Sequence, residues 1–278
     1  KVLRQKPWNV SLDWLHGQSD ISKEGGGCGS IMSKRAATGG YDPSGIDLDA
    51  WTELEEQLEA TIPNYDRVNK LMTFGQDKRW RRNVRNHATK GMKVLEVGCG
   101  PGSFAEDLVG LDVTCLDPSE AMLKVAKKRV DGARASRGEA PAAYVQALAE
   151  DIPLEDNSFD MVFCLFSFRD FQDKKKGLEE IYRVLKPGGQ LVMCDAGKAN
   201  YLHGLTGRIW MSTVVQWMAR WVTKTKDHPW KGLARSYTHY GTNKYYRNMM
   251  KEVGFQDVSG RLLYPFMMSS RFRGRKPQ

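Results

Sequence analysis

Lys93–Ser103, KVLEVGCGPGS, is the stretch on which the reading of this 278-residue chain turns. Val94, Leu95 and Val97 form a short apolar run, glycines follow at 98, 100 and 102, and a helix is expected to begin near Ser103. An apolar run closed by glycines reads as a strand ending in a tight turn. Glycine there permits φ > 0 and lets a ligand approach bare backbone, while a helix start offers unpaired N–H groups to an anion. The spacing is G-x-G-x-G rather than the G-x-G-x-x-G of the dinucleotide fingerprint, and Glu96 stands two residues before the first glycine. Both differences point away from NAD. They fit a nucleoside ligand with an amino-acid end, whose ammonium needs a carboxylate and whose carboxylate needs backbone donors. S-adenosylmethionine is such a ligand.

Downstream, Asp112–Leu116 is a second apolar strand ending in Asp117, 21 positions beyond Glu96. A carboxylate at the end of the second strand can accept from both hydroxyls of a ribose. Pro118–Val130 is expected to be a helix, with Met122 either facing the adenosine position or packing in the core. Ala143–Ala147 reads as the third strand, followed by Glu150 and Asp151 in a loop beside the base. Asp160–Leu165 is the fourth strand and Lys174–Leu185 a helix; Lys186–Gly189 is a turn before strand Gln190–Asp195. Strands alternating with helices through short loops predict an α/β fold with a doubly wound parallel sheet.

Upstream, residues 1–45 read as a poorly structured extension with a glycine-rich stretch at Gly25–Gly40, which Trp8 and Trp14 could anchor. Asp47 or Asp49 can cap a helix in which Trp51, Leu54 and Leu58 recur at helical spacing and which Pro63 ends. Asn64–His87 is helix-rich, and its basic end (Lys78, Arg79, Arg81, Arg82, Arg85) reads as a solvated helix end rather than a nucleic-acid face.

Beyond the central unit, Leu205–Val222 is expected to be one helix with a wide apolar face and a narrow polar stripe of Arg208, Ser212, Gln216 and Arg220. Two internal arginines argue against a membrane span. A core helix, a lid over an apolar substrate, and an interfacial helix with Lys224 and Lys226 near headgroups all remain open. Thr242–Val253 is a further helix, Gln256–Arg261 and Leu262–Met268 a closing antiparallel pair, and Arg271–Lys276 a solvated basic tail.

The net charge of +9, from 42 Lys and Arg against 33 Asp and Glu, suits nucleic acid, an anionic membrane or an acidic substrate alike. Of five cysteines, Cys99, Cys115, Cys164 and Cys194 fall in or beside predicted strands, as reduced cysteines of a cytoplasmic protein do. No C-x-x-C pair occurs and the five histidines are scattered, so no metal site is expected. No long apolar N-terminal run marks a signal peptide.

The glycine loop with Glu96 and Asp117 resembles the class I S-adenosylmethionine-dependent methyltransferases over roughly residues 90–196. Tyr65–Gly75 (YDRVNKLMTFG) with Arg79 and Trp80, then Tyr144–Asp160 (YVQALAEDIPLEDNSFD) and Phe166–Gly189, resemble the ubiquinone/menaquinone biosynthesis C-methyltransferase family more narrowly. The resemblance implies a Rossmann-like, mostly parallel seven-stranded sheet with N-terminal helices. It also implies a methyltransferase domain over 46–278, with a cofactor core at 90–196, a helical lid at 199–240 and a closing helix and strand pair at 241–270. Cofactor contacts are implied for Glu96, Gly98, Gly100, Pro101, Gly102, Asp117, Pro118, Met122, Ala149 and Glu150. Several positions depart from the family pattern: Leu148 replaces Asn or Asp, Leu165 a small polar residue, Ser167 glycine and Asp170 Asn. Residues 200–240 do not follow it closely.

The implied activity is methylation of a ring carbon of a prenylated quinol of the demethylmenaquinone type. Such a carbon becomes nucleophilic when a neighbouring hydroxyl loses its proton, so a base or a cation is required. Arg169 and Tyr65 are the implied catalytic residues. Asp170 is either the base or a structural group, in an ion pair or capping the helix from Lys174. An apolar lid with Trp210, Trp217 and Trp221 as walls would hold the prenyl chain. Peripheral contact with the inner face of a membrane and a homodimer are both compatible with this reading. Other hydrophobic or lipid acceptors, and a non-catalytic methyltransferase-fold scaffold, are the alternatives; no RNA-binding module is evident.

Overall fold

A computed structural model describes residues 40–226, 228, 230–263 and 269–278. The expectations for Trp8, Trp14 and the glycine-rich stretch up to Gly39 lie outside these residues. Tyr41–Asp42 (β1) and Gly45–Ile46 (β2) form a small hairpin, with Tyr41 and Ile46 buried against Ala50 and Leu54. The described end of the first 45 residues is therefore built into the fold. Asp47 is the cap of helix α1 (Leu48–Thr61), its carboxylate accepting from Ala50 N.

The helix-rich stretch that follows is two helices, α2 (Tyr65–Met72) and α3 (Gln76–Arg85). The turn between them uses Gly75 at φ 75° and Phe74 at φ 49°. On α3, Asp77, Trp80, Arg81 and Val84 share one buried face. Arg81 therefore does not belong to a solvated helix end.

The central sheet contains β3 (Lys93–Val97), β4 (Asp112–Asp117), β5 (Ala143–Gln146), β6 (Phe159–Leu165), β7 (Leu185–Ala196), β8 (Gln256–Leu262) and β9 (Ser269–Arg275). Its order is β5-β4-β3-β6-β7-β9-β8, parallel through β7, with β9 antiparallel to both β7 and β8. The seven-stranded, mostly parallel α/β sheet of a class I methyltransferase is thus present. The chain winds outward from β3 to β5 and then returns to β6 on the other side of β3. That reversal opens a crevice at the carboxyl ends of β3 and β6, where open α/β sheets bind ligands. The inner strands β3, β4, β6 and β7 are buried on both faces, one against α3 and α4 (Glu120–Ala135) and the other against α5 (Lys174–Val184) and the helix Asn243–Val253.

Four local expectations are corrected. The segment after the glycine loop has no α-helix, only a 3₁₀ turn at Ala105–Asp107. Gly102 packs directly on α4, where a Cβ would stand 2.8 Å from Val130, and Phe104 packs edge-on to Phe163, which leaves few residues before Gly110. The expected single helix at 205–222 is two, α6 (Tyr201–Ser212) and α7 (Val214–Thr223). They break at Thr213, where the Ser212 and Thr213 hydroxyls donate back to the carbonyls of Arg208 and Ile209. The expected solvated basic tail is instead the strand Ser269–Arg275, paired with β7 and β8 and with Phe272 fully buried; residues 264–268 of the expected strand Leu262–Met268 lie outside the described residues. Finally, Lys186–Gly189 lies within β7 as a bulge, with Gly188 at φ 77°, and is not a separate turn.

Cys99, Cys115, Cys164 and Cys194 are buried free thiols. Among the described residues no helix is long and apolar enough to cross a membrane.

Candidate functional site

Two cavities meet at the carboxyl ends of β3 and β6. The first, about 110 Å³, is walled by Gly98, Gly100, Asp117, Pro118, Met122, Ala149 and Glu150, all expected to lie at the cofactor. Gly98 has φ 69°, and a Cβ there would fall 2.3 Å from that of Ser167. Only glycine fits, because Ser167 closes over it and donates to Val97 O at 2.9 Å. Asp117 accepts from Gly100 N at 2.8 Å and Ser119 N at 3.0 Å. Its pKa is pushed up to about 6 because burial outweighs these two bonds. The side chain of Met122 is buried in the cavity wall. Glu150 accepts from Asp173 N at 3.0 Å, which occupies part of its carboxylate in holding the next loop.

Glu96, Pro101 and Gly102 do not line this cavity. Gly102 serves helix packing. Glu96 alternates with Val94 onto the face covered by α3 and is 2% exposed, its Oε2 buried without a hydrogen-bond partner. Burial pushes its pKa up to about 8, opposed by Arg81 and reinforced by Asp117. The loop amides are already engaged: Gly98 N and Cys99 N donate to Leu116 O, Gly100 N to Asp117 and Gly102 N to Cys99 O. Without a helix at Ser103, the expected backbone clamp for a carboxylate is not offered by these groups. A further donor group stands near Glu96: Arg81, in the wall of the second cavity and 4.0 Å from Asp77. It is buried on α3, its Nη1 donates to Ser103 O at 2.9 Å, and its Nε has no hydrogen-bond partner. An orphaned carboxylate oxygen and an orphaned guanidinium N–H match the two charges of an amino-acid end, so the residues present fit S-adenosylmethionine.

The second cavity, about 140 Å³, is largely apolar and aromatic, with Met72, Trp80, Trp210, Met211, Trp230 and Tyr237 in its walls. Leu58, Tyr65 and Phe166 line both cavities and mark the junction. Phe166 is held in the left-handed region, φ 60°, with its N–H donating to Cys194 O at 2.7 Å. A bulky residue at positive φ is strained, and the strain falls where the two cavities join. Tyr65 has its pKa raised by burial, against the lowering effect of Arg81 and Arg169 and a hydrogen bond with Asn69.

Arg169 lines the apolar cavity and Asp170 the glycine-loop cavity. They are 14% and 11% exposed and form a 3.2 Å ion pair whose angle leaves Arg169 Nε and Asp170 Oδ1 without hydrogen-bond partners. Asp195, fully buried, accepts from Arg169 N at 3.0 Å and lies 3.6 Å from its Nη1, so it anchors the arginine. Burial first, and Asp195 second, push Asp170 up to about 6 against the pull of Arg169 and Lys174. Asp170 does not cap α5; Asp173 does, accepting from Lys175 N and Lys176 N. Lys174, 1% exposed, has its pKa pulled down to about 8 by burial despite Asp170 and Asp195.

Trp210 is a wall of the second cavity, but Trp217 and Trp221 are not; they are 67% and 64% exposed. The break at Thr213 turns α7 so that Val215, Ala219 and Val222 are its buried face. Sequence reasoning also missed Trp51 and Glu55, which lean from α1 over the glycine-loop cavity. The spacing of Arg81 from Asp77 and Val84 puts it on their buried helix face, a pattern that the neighbouring arginines mask in the sequence.

The pattern of the ubiE/COQ5 methyltransferase family matches residues 52–264. A demethylmenaquinone methyltransferase from Renibacterium salmoninarum is 32% identical over 217 residues, covering 76% of this chain and 87% of that protein. A ubiquinone/menaquinone biosynthesis C-methyltransferase, UbiE, from Geotalea daltonii is 34% identical over 152 residues, covering 51% and 63%. Among solved structures, a SAM-dependent methyltransferase from Thermotoga maritima superposes with TM-score 0.56 at 20% identity, over 80% of this chain and 99% of that one.

Proposed function

This chain belongs to the ubiE/COQ5 methyltransferase family, and from that premise we propose that it methylates a ring carbon of a prenylated, demethylmenaquinone-type quinol in quinone biosynthesis. The observation that carries the reading is the junction itself: a glycine-loop cavity opening at Tyr65 and Phe166 onto an apolar, aromatic cavity that contains Arg169. Polar small molecules would waste such a wall; a prenylated ring fills it.

S-adenosylmethionine, when bound, supplies an electrophilic methyl on a sulfonium. Gly98 and Gly100 give its nucleoside bare backbone, Asp117 accepts from the ribose, and Met122, Ala149 and Glu150 border the base. Glu96 takes the ammonium and Arg81 the carboxylate. On the acceptor side, Arg169, anchored by Asp195, stabilises the developing phenolate, and Asp170, beside Arg169 at the junction, removes the hydroxyl proton. The ring carbon takes the methyl as its bond to sulfur breaks, leaving S-adenosylhomocysteine, and then loses its own hydrogen as a proton, so that the ring is again aromatic and the hydroxyl restored. Tyr65 orients the ring between the two cavities. Most of the rate comes from holding the ring carbon in line with the methyl and excluding water, which α1 and α2 accomplish by covering the site.

In this reading residues 46–278 form the methyltransferase unit, with the β1–β2 hairpin packed on its first helix and α6 covering the acceptor through Trp210 and Met211. A prenylated acceptor is lipid-soluble, so the enzyme meets it at a membrane. The test is labelled methyl transfer from S-adenosylmethionine into a panel of reduced demethylmenaquinone, benzoquinol analogues, sterols and phospholipid amines. Label in the quinol supports the proposal. Label only in another lipid, or in none, rejects it.

A further inference from the structure

The segment from Ala196 to Lys226 contains no Asp or Glu, although the chain has 33 of them, and it carries Lys198, Arg208, Arg220, Lys224 and Lys226. Lys198 is turned inward, its Nζ donating to the carbonyls of Thr238 and Tyr240, but the other four are exposed. Among them stand large apolar side chains open to solvent: Tyr201 at 92%, Leu202 at 79%, Leu205, Ile209, Trp217 and Trp221. Six such residues on two successive helices far exceed the scattered exposed apolar groups of an ordinary surface.

We infer that this face of α6 and α7 is a docking surface for an anionic lipid bilayer, on which it delivers the prenylated acceptor of the proposed reaction to the cavity beneath. Charge decides the occupant. Basic residues without an acid among them match anionic headgroups, and tryptophan and tyrosine settle at the level where headgroups meet acyl chains. The helices are 12 and 10 residues long, too short to span a bilayer, so they lie on it. The same α6 that exposes Leu205 and Ile209 sends Trp210 and Met211 into the apolar cavity. Half-exposed Phe74 rests on Trp210, ring centroids 5.6 Å apart, extending the apolar surface beside the cavity. A prenyl chain moving from bilayer to cavity along this helix need not cross water.

The inference rests on the quinol reading, and the experiment separates the two. The full chain is sedimented with phosphatidylcholine vesicles, with and without phosphatidylglycerol, and assayed in parallel on a water-soluble short-tailed quinol. Wild type is expected to bind the anionic vesicles, less as salt is raised and weakly to neutral ones. With each basic residue near an anionic surface worth a factor of about five, Arg220→Gln with Lys226→Gln lowers partitioning about 30-fold. Trp217→Ser with Trp221→Ser lowers it on both vesicle types. Both double variants retain wild-type turnover of the soluble quinol, and turnover of a vesicle-borne long-tailed quinol falls with partitioning. Wild type that ignores anionic vesicles, or variants that bind them equally well, overturns the inference. So does a sedimenting dimer, without vesicle binding, that the tryptophan variant dissociates. Loss of vesicle binding in the variants without methylation of any quinol leaves the surface standing and rejects the quinol.

Discussion

Replacing Glu96 by Gln tests the zwitterion clamp through protons rather than through affinity alone. In the free protein Glu96 has a buried, unpartnered oxygen and a pKa of about 8, so near pH 6.5 it is almost wholly protonated. An α-amino group keeps its proton below about pH 7.7, so pairing the two as carboxylate and ammonium expels the proton of Glu96. The release works out at about 0.9 proton per S-adenosylmethionine bound at pH 6.5. Titration calorimetry in buffers of different ionisation enthalpy reads that number directly. Glu96→Gln, which has no proton to lose, should release about one fewer, whatever Asp117 contributes in both proteins. The wild-type binding constant should rise about fivefold between pH 6.5 and 7.5 while that of the variant stays nearly level. The sign reverses for stability. A carboxyl whose folded pKa is raised above its unfolded value stabilises the fold below about pH 4.5, and this is lost as pH rises through about 8. The span of about 3.5 units corresponds to on the order of 4 to 5 kcal/mol, so unliganded Glu96→Gln should melt higher than wild type at pH 9. Equal proton release by the two proteins would refute the pairing.

Gly98→Ala forces φ 69° on an L-residue and drives a Cβ into Ser167; left-handed strain and overpacking predict a loss of about 2 to 5 kcal/mol by chemical denaturation. Ser167→Gly in the same chain should recover the overpacking part, about 1 to 3 kcal/mol, and a strictly additive double variant would show that the two do not clash. Asp170→Asn should abolish the limb of the pH–rate profile that rises through about pH 6, since a base acts only as the carboxylate; a surviving limb assigns it elsewhere. Arg169→Lys, which loses the planar fork held by Asp195, should lower kcat by about 10- to 100-fold with S-adenosylmethionine affinity unchanged, whereas Arg81→Gln should weaken that affinity and spare single-turnover chemistry at saturation.

How far the fold was legible depended on whether a signal was local. The strands of the central unit and the first helix followed from apolar runs, glycine turns and caps such as Asp47, all set by neighbours in sequence. Gly98 and Asp117 were legible because a ligand cradle demands those residue types at that spacing. Arg81 was obscured by the arginines around it; a guanidinium on a solvated face and one beneath a sheet differ only in what packs over them. Arg271 and Arg273 hid a strand in the same way, since their side chains project from one face while Ser270, Phe272 and Gly274 fill the other. The break at Thr213 came from hydroxyls bonding back to the helix, a competition that apolar periodicity does not register. Trp217 and Trp221 accordingly looked like cavity walls until the break redirected them.

The most direct test of the central claim is the structure of the product. The purified chain is incubated with S-adenosylmethionine carrying a ¹³C methyl group and the reduced prenylated quinol, and the product is examined by carbon NMR. The proposed chemistry predicts one labelled methyl bonded to a ring carbon. A labelled methoxy group, or no labelled quinol at all, would contradict it.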